Sequence, residues 1–355
     1  MADSPRRETP SKPAIRRPPW QGTASQRRDA ARRQRQGQRL LGPLPLPAGA
    51  GAGKPVIDGV AVPLTNLAKI YFPADGIAKR DLLDYSHDVA EFLIPHLLDR
   101  PYTLKRYANG IEGEFFFQKE AGPHLPAWVR TARMPSQGQR SSINFVLCDD
   151  CPTLLYLVNL GCIDHNAWMS RAATPEQPDF VLLDLDPGPR AGFAKVVQVA
   201  QQVRRVLERF EITGVAKTSG ATGMHVFIPL APGHTYEQSS TFAHLIFQHV
   251  AAAAPELITE VWSVARRPQD RVYLDFRQNA QGKTVPPPYS PRPRPGAPVS
   301  APLRWTEVKP GLDPAQFTLR TMRRRLERHG DLFAAVLPAS GQGQSIAALL
   351  QRMAA

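Results

Sequence analysis

Cysteine is scarce in this chain. Its three copies, Cys148, Cys151 and Cys162, are too few and too odd in number for a disulfide framework. Long apolar runs are missing too. No stretch is apolar enough to span a bilayer, and the N-terminus lacks the apolar core of a secretory signal, so the expected location is the cytosol and no membrane partner is expected. Acidic residues are in deficit, 31 Asp and Glu against 44 Lys and Arg, which leaves a net charge of +13. That balance points to a polyanionic partner, nucleic acid ahead of a membrane surface. What the chain does have is length: 355 residues, 42% of them hydrophobic, enough to bury a sizeable core in one large domain or two small ones.

The cysteines have a formal metal-ligand spacing, Cys148-x2-Cys151 followed by Cys162-x2-His165. The segment between them, Pro152 to Leu160, reads as an apolar helix and not as a metal knuckle, so small buried thiols are the better reading.

The positive charge is unevenly spread. Residues 1–54 hold twelve Lys or Arg against three Asp or Glu, nine of the thirteen net charges, among Pro, Gln, Gly and Ala. This composition buries too little apolar surface to offset chain entropy. It predicts a disordered basic tail over 1–54 and a folded domain over 55–355.

The folded part is organised around Phe180-Val181-Leu182-Leu183-Asp184-Leu185-Asp186, a buried strand that ends in two carboxylates. Alternate residues of a strand share a face, so Asp184 and Asp186 point the same way. Paired carboxylates at a strand end suit a hard divalent cation; the competing reading is a solvated strand end. A second strand, Arg271 to Phe276, places Asp275 at its own end. Between the two lies an amphipathic helix, Gly192 to Phe210. A strand–turn–strand unit follows it, with Lys217-Thr218-Ser219-Gly220 in the turn and His225 after it. Backbone amides, a hydroxyl and a histidine at such a turn can cradle an anion. It precedes no helix, so it is neither a Walker loop nor a dinucleotide fingerprint.

Upstream, Asn66, Lys69 and Lys79 surround one turn and suit a phosphate, or else are solvated surface residues. One helix is expected from Arg80 to about Leu98. Phe115, Phe116 and Phe117 interleave with Lys105, Arg106 and Lys119, a mixture that suits unpaired bases and their phosphates as well as core packing. Thr131 to Ser142 reads as a polar loop, and a charged helix over about Leu319 to Leu326 opens the C-terminal region.

Taken in order, these pieces resemble the polymerase domain of bacterial ligase D, the end-joining branch of the archaeo-eukaryotic primase superfamily. The motifs are Leu64-Thr65-Asn66 with Lys69, Thr103-Leu104-Lys105-Arg106-Tyr107, Phe116-Phe117-Gln118-Lys119, Asp184-Leu185-Asp186-Pro187-Gly188, Lys217-Thr218-Ser219-Gly220 with His225, Asp275 with Gln278-Asn279 and Lys283, and Pro288-Tyr289-Ser290 with Arg292. They cover Leu64 to about Phe333.

The resemblance implies an α/β fold: a primase-like catalytic core with an RNA-recognition-like antiparallel sheet backed by helices, plus N-terminal strands and a helix. It implies a template-directed nucleotidyltransferase that fills gaps and extends ends at double-strand breaks and prefers ribonucleotides. Asp184, Asp186 and Asp275 would be catalytic and hold two divalent metal ions, Mn²⁺ favoured and Mg²⁺ the alternative. Ser219, His225, His165, Lys283 and Arg292 would bind the nucleoside triphosphate. Asn66, Lys69 and Lys79 would take the 5′-phosphate of a broken end. Phe116 and Phe117 would meet the template, and the loop from Thr131 to Ser142 a second DNA end. DNA with gaps or broken ends, Ku and a separately encoded DNA ligase are the implied partners. The chain departs from the family at Thr222, where many members have Lys. The register of Arg266 to Arg271 assigns no catalytic Arg there. A de novo primase and a catalytically inert end-bridging module are the competing functions.

Overall fold

The computed structural model describes residues 37–135 and 141–354. In the body that begins at Gln38, two six-stranded sheets carry the architecture. In chain order their strands are β1 (Pro101–Arg106), β2 (Phe116–Gln118), β3 (Thr131–Pro135), β4 (Ser142–Leu147), β5 (Cys162–Trp168), β6 (Phe180–Pro187), β7 (Val215–Thr218), β8 (Met224–Pro229), β9 (Ile258–Thr259), β10 (Val272–Asp275), β11 (Thr284–Val285) and β12 (Pro302–Leu303). The helices are α1 (Lys79–Asp88), α2 (Ala90–Leu97), α3 (Cys151–Asn159), α4 (Gly192–Arg209), α5 (Tyr236–Ala253), α6 (Met322–His329) and α7 (Ile346–Ala354).

The first sheet runs β9-β10-β6-β8-β7-β12 and is antiparallel except for β9 beside β10. Its central run, β6-α4-β7-β8-α5-β10, is the split βαβ unit of RNA-recognition folds, with the first strand inside the sheet. Strand β6 is apolar on both faces because both are covered. Val181, Leu183 and Leu185 pack with Val196, Ala200 and Val203 of α4. Phe180 and Leu182 point the other way, toward Phe227, Val285 and Phe333. Further along that second face come Asp184 and Asp186.

The second sheet runs β11-β5-β1-β4-β3, with β2 added to β1. Strand β1 divides one edge between two partners: Pro101 and Tyr102 pair with β4, and Leu104 to Arg106 with β2. The segment read as a polar loop, Thr131 to Ser142, starts as strand β3, in a hairpin with β4. Its tip, 136–140, lies outside the described residues. The charged helix of the C-terminal region is α6, shifted toward the C-terminus, with Arg323 paired to Asp88 and Glu327.

Two boundaries differ from expectation. The single helix over Arg80 to Leu98 is two helices, broken at Val89, where ψ rises to 5°. Pro95 in α2 has no N–H for the Glu91 carbonyl. That carbonyl accepts from Gln38 Nε2 at 2.9 Å instead. The tail boundary also moves. Residues 1–36 lie outside the described residues, whereas 38–54 form a strap across α1 and α2. The carboxylates of Glu91, Asp88 and Asp84 accept the backbone N–H of Arg39, Gly42 and Leu44. Arg80 donates to the carbonyls of Leu44, Leu46 and Pro47, and Leu44 is buried. Leu40, Leu41 and Leu46 pack against the core beside Leu44, and the strap's backbone groups are satisfied by charged groups on the helices. The folded body therefore starts at Gln38 and not at residue 55.

A chain starting at Val56 should consequently be less stable than one starting at Gln38. The loss of Leu44 burial and of the Arg80 bonds is worth about 2 kcal/mol or more. Thermal melts of the two truncations check this; equal melting temperatures would show that the strap contributes nothing.

Candidate active site

Pairing across the first sheet sets the site. Asp184 lies opposite Asp275 on one side and opposite His225 on the other, and His225 lies opposite Lys217. Directly paired residues share a face, so Lys217, His225, Asp184 and Asp275 form one row over β7, β8, β6 and β10. Asp186 stands one step along, opposite Tyr273. The carboxylates sit at strand ends, and the register brings them to a common point.

The carboxylates crowd each other in a partly dry place. Burial, and then the Asp275 charge, push Asp184 up to about 7. Burial and then Asp184 and Asp275 push Asp186 up to about 7, against the pull of Arg267 and Arg292. His225 Nε2 stands 3.3 Å from Asp184 Oδ1 but outside hydrogen-bonding geometry, so this buried oxygen has no hydrogen-bond partner. Tyr273 and the Arg277 amide both donate to Asp275 Oδ1. Among the described residues, no group of three or more His, Cys, Asp or Glu closes on one point tightly enough to hold an ion alone. The three aspartates still fit a divalent cation: they are hard oxygen donors, crowded, short of positive charge, and one is orphaned. Substrate oxygens would have to complete the coordination.

On the β8–β7 side the row turns from carboxylates to nitrogen groups. Lys217 is fully buried and has no carboxylate partner. Its Nζ donates to Ser300 Oγ at 2.6 Å and lies 2.8 Å from His225 Nδ1, and burial holds both Lys217 and His225 well below their ordinary range. The Gly-rich turn follows. Ser219 Oγ accepts from the amides of Ala221 and Gly223, both at 3.1 Å, and so shapes the turn. Gly223 is required there: a Cβ would stand 2.3 Å from the Leu185 carbonyl. Arg292 reaches in from the loop after β11. Its Nη1 donates to the Ser219 carbonyl at 2.8 Å, its Nη2 lies 3.8 Å from Asp164 on β5, and its buried Nε has no partner. Thr222 is exposed on the turn, and Lys283 is exposed on the turn before β11.

His165 is not part of this cluster. On β5 it faces Leu104 and Tyr102, and its Nδ1 is 2.6 Å from the Tyr102 hydroxyl. Burial pushes it down to about 3, so the ring is neutral. The face toward Arg292 and Lys105 belongs to Asp164, one residue earlier. The His165 Nε2 is buried with no hydrogen-bond partner. Cys148, Cys151 and Cys162 are all buried and form no disulfide.

Asn66, Lys69 and Lys79 do come together. Lys69 N–H donates to the Asn66 carbonyl and Lys79 N–H to the Lys69 carbonyl. Lys69 Nζ donates to Ala108 O and Asn109 Oδ1, and Lys79 Nζ to Thr65 O. Burial, and then the Lys69 charge, push Lys79 down to about 8. Phe115, Phe116 and Phe117 are all exposed. Lys105 lies over Phe115 and Phe117, and Arg106 over Phe116. The sequence reading passed over Arg267. Its guanidinium stacks 3.7 Å from the Tyr273 ring centre and acts on Asp186. Only the fold brings it there: the Gly188 amide bonds to Arg271 O, and the Arg190 amide to Gln269 O.

The family model described as the LigD primase-polymerase domain matches residues 78–333. The bifunctional non-homologous end joining protein LigD of Bacillus subtilis is 35% identical over 267 residues, covering 75% of this chain and 42% of that protein. The multifunctional LigD of Mycolicibacterium smegmatis is 29% identical over 277 residues, covering 77% of this chain and 36% of that protein. The chain thus spans about two-fifths of the length of these relatives. Among solved structures, the polymerase domain of Mycobacterium tuberculosis ligase D in complex with DNA superposes with a TM-score of 0.70 at 28% identity, over 78% of this chain and 97% of that one. The match over most of the folded body, with the split βαβ sheet and its row of aspartates, places this chain in the LigD primase-polymerase domain family.

Proposed function

We propose that the chain is a metal-dependent, template-directed nucleotidyltransferase that fills gaps and extends ends at DNA double-strand breaks, with a preference for ribonucleotides. The observation that carries this reading is the row Lys217–His225–Asp184–Asp275, which sets carboxylates beside the nitrogen groups of Lys217 and His225 on one sheet face. Asp184, Asp186 and Asp275 would hold two divalent ions, Mn²⁺ or Mg²⁺. When bound, these supply Lewis acidity to the α-phosphate and lower the pKa of the primer 3′-hydroxyl. The Ser219 turn, His225 and Lys217 orient the triphosphate and Arg292 offsets its charge, with Lys283 at the outer rim. Phe116 and Phe117 offer ring faces to template bases, and the segment from Thr131 to Ser142 a contact for a second end. Ku to hold the ends, and a ligase to seal what filling leaves, are the partners of this reading. Its setting is the bacterial cytosol and nucleoid. No helix of the described residues is long and apolar enough to cross a membrane.

A primase that starts chains without a primer would share the carboxylates. It has less use for paired lysines beside Asn66, so that pocket favours the end-joining reading. An inert bridging module would have no need of three crowded carboxylates.

Asp184→Asn or Asp186→Asn should lower primer extension by about 10²–10³-fold or more while gapped-DNA affinity stays within about threefold. Single-turnover extension and a binding titration measure the two quantities. Extension near the normal rate in either variant would remove the site assignment.

Gapped DNA with a 5′-phosphate should bind on the order of tenfold tighter than the 5′-hydroxyl form, from charge-assisted bonds to Lys69 and Lys79. Lys69→Ala, alone or with Lys79→Ala, should erase the difference. In the wild type the preference should fade as pH rises past about 8, where Lys79 of the free protein loses its charge. Affinities for the two DNAs at pH 7 and 9 test this. A preference that survives in the variants would mean that the phosphate binds elsewhere.

A further inference from the structure

The described residues leave one large aromatic side chain almost wholly in solvent. Trp262 is 72% exposed, and its neighbours Val261 and Val264 are exposed with it. They lie in the loop between β9 and β10. The two strands are parallel, with Ile258 level with Val272 and Thr259 level with Tyr273. Continuing that register, Val261 comes level with Asp275. The loop therefore stands at the sheet edge beside the carboxylate row, at the end opposite Lys217.

The loop is held there. Arg267, stacked on Tyr273, donates from Nε to the Val261 carbonyl at 3.1 Å and from Nη2 to the Trp262 carbonyl at 3.2 Å. Arg277 Nη1 donates to the Glu260 carbonyl at 3.2 Å. These bonds fix the backbone and leave the Trp262 ring outside.

Nucleotidyl transfer is an in-line displacement. The attacking 3′-oxygen lies opposite the leaving pyrophosphate across the α-phosphorus. In the polymerase reading the groups that orient the triphosphate, Lys217, His225, the Ser219 turn and Arg292, lie on the β8–β7 side of Asp184. The strand that brings the attacking oxygen must then approach from the Asp275 side, where the exposed loop stands. Arg266, Arg267 and Arg277 surround that loop, so it combines an open ring and apolar flanks with positive charge. This combination is suited to a nucleic-acid strand, whose bases stack while its phosphates meet cations.

We propose that Trp262 is a base-stacking subsite for the 3′-terminal segment of the primer strand, with Val261 and Val264 extending the platform. The proposal rests on the polymerase reading above, and its test is a binding measurement that needs no catalysis.

Affinity is measured without nucleotide for a primer–template DNA, and for the same DNA with an abasic sugar at each of the last three primer positions in turn. In the wild type, one of the three abasic substitutions should weaken binding about ten- to one-hundredfold, the range of one base stacked on one aromatic ring. Trp262→Ala should bind the intact DNA as weakly as the wild type binds that abasic DNA, and should no longer distinguish the two. Trp262→Phe should keep most of the difference. The ring fills no core space, so an unchanged melting temperature excludes misfolding. Equal binding of all four DNAs by the wild type, or unchanged discrimination by Trp262→Ala, overturns the subsite. The polymerase reading itself fails only if the wild type extends no primer.

Discussion

The repulsion between Asp184, Asp186 and Asp275 is the constraint on which the rest of the site depends. Three carboxylates on adjacent strands of one sheet face, partly removed from water, oppose folding: burial favours the protonated forms of Asp184 and Asp186, and the Asp275 charge raises the pKa of both. A sheet optimised for stability alone would place apolar side chains there, as β6 does at Phe180 and Leu182 one turn of the pleat earlier. The surrounding protein compensates from a distance and does not neutralise the cluster. Arg292 and Arg267 lower the carboxylate pKa values without forming ion pairs with them, and Lys217 faces His225 and not an aspartate. The field is left open for cations and for a substrate that brings its own phosphates.

Arg292 shows how the second sheet contributes. Its guanidinium lies between the Ser219 carbonyl of the first sheet and Asp164 of the second. The backbone that delivers it is strained: Tyr289, three residues earlier, has φ +67°, a conformation costing a bulky residue on the order of 1–3 kcal/mol. Every polar group of Tyr289 is tied down to hold it. Its amide donates to Ser300 O, its carbonyl accepts from Tyr85, and its hydroxyl donates to Asp331. The same Ser300 accepts from Lys217, and Ser290 accepts the His165 amide. Helix α1, strand β5 and the segment after α6 thus meet at one loop.

Much of this was legible in the sequence where local period decides the outcome. The Asp184/Asp186 pair follows from alternation in a strand whose apolar run is hard to misread, and α4 follows from its 3.6-residue spacing. Phase was legible only where it did not matter. Near His165 the segment is polar or small at several successive positions, so alternation gives no way to choose between His165 and Asp164, and in the structure it is Asp164 that lies toward Arg292 and Lys105. The strap over residues 38–54 was hidden for another reason. Its order comes from backbone donors meeting Asp84, Asp88 and Glu91, some forty to fifty residues away, and from Leu40, Leu41, Leu44 and Leu46 packing on the core, contacts that a Pro- and Gly-rich composition masks.

Arg267 and Trp262 are illegible for the same cause. Their loop has no period, and its place is fixed by pairing at both ends: β9 beside β10, and Gln269 and Arg271 against the turn after β6. A one-residue shift in either pairing would move Arg267 off the Tyr273 ring. The row across the sheet therefore has a direction that residue identity alone does not reveal. Lys217 and His225 stand at one end, carboxylates in the middle, and an exposed aromatic ring at the other. A displacement reaction needs that polarity, because its nucleophile and its leaving group must approach the same phosphorus from opposite sides.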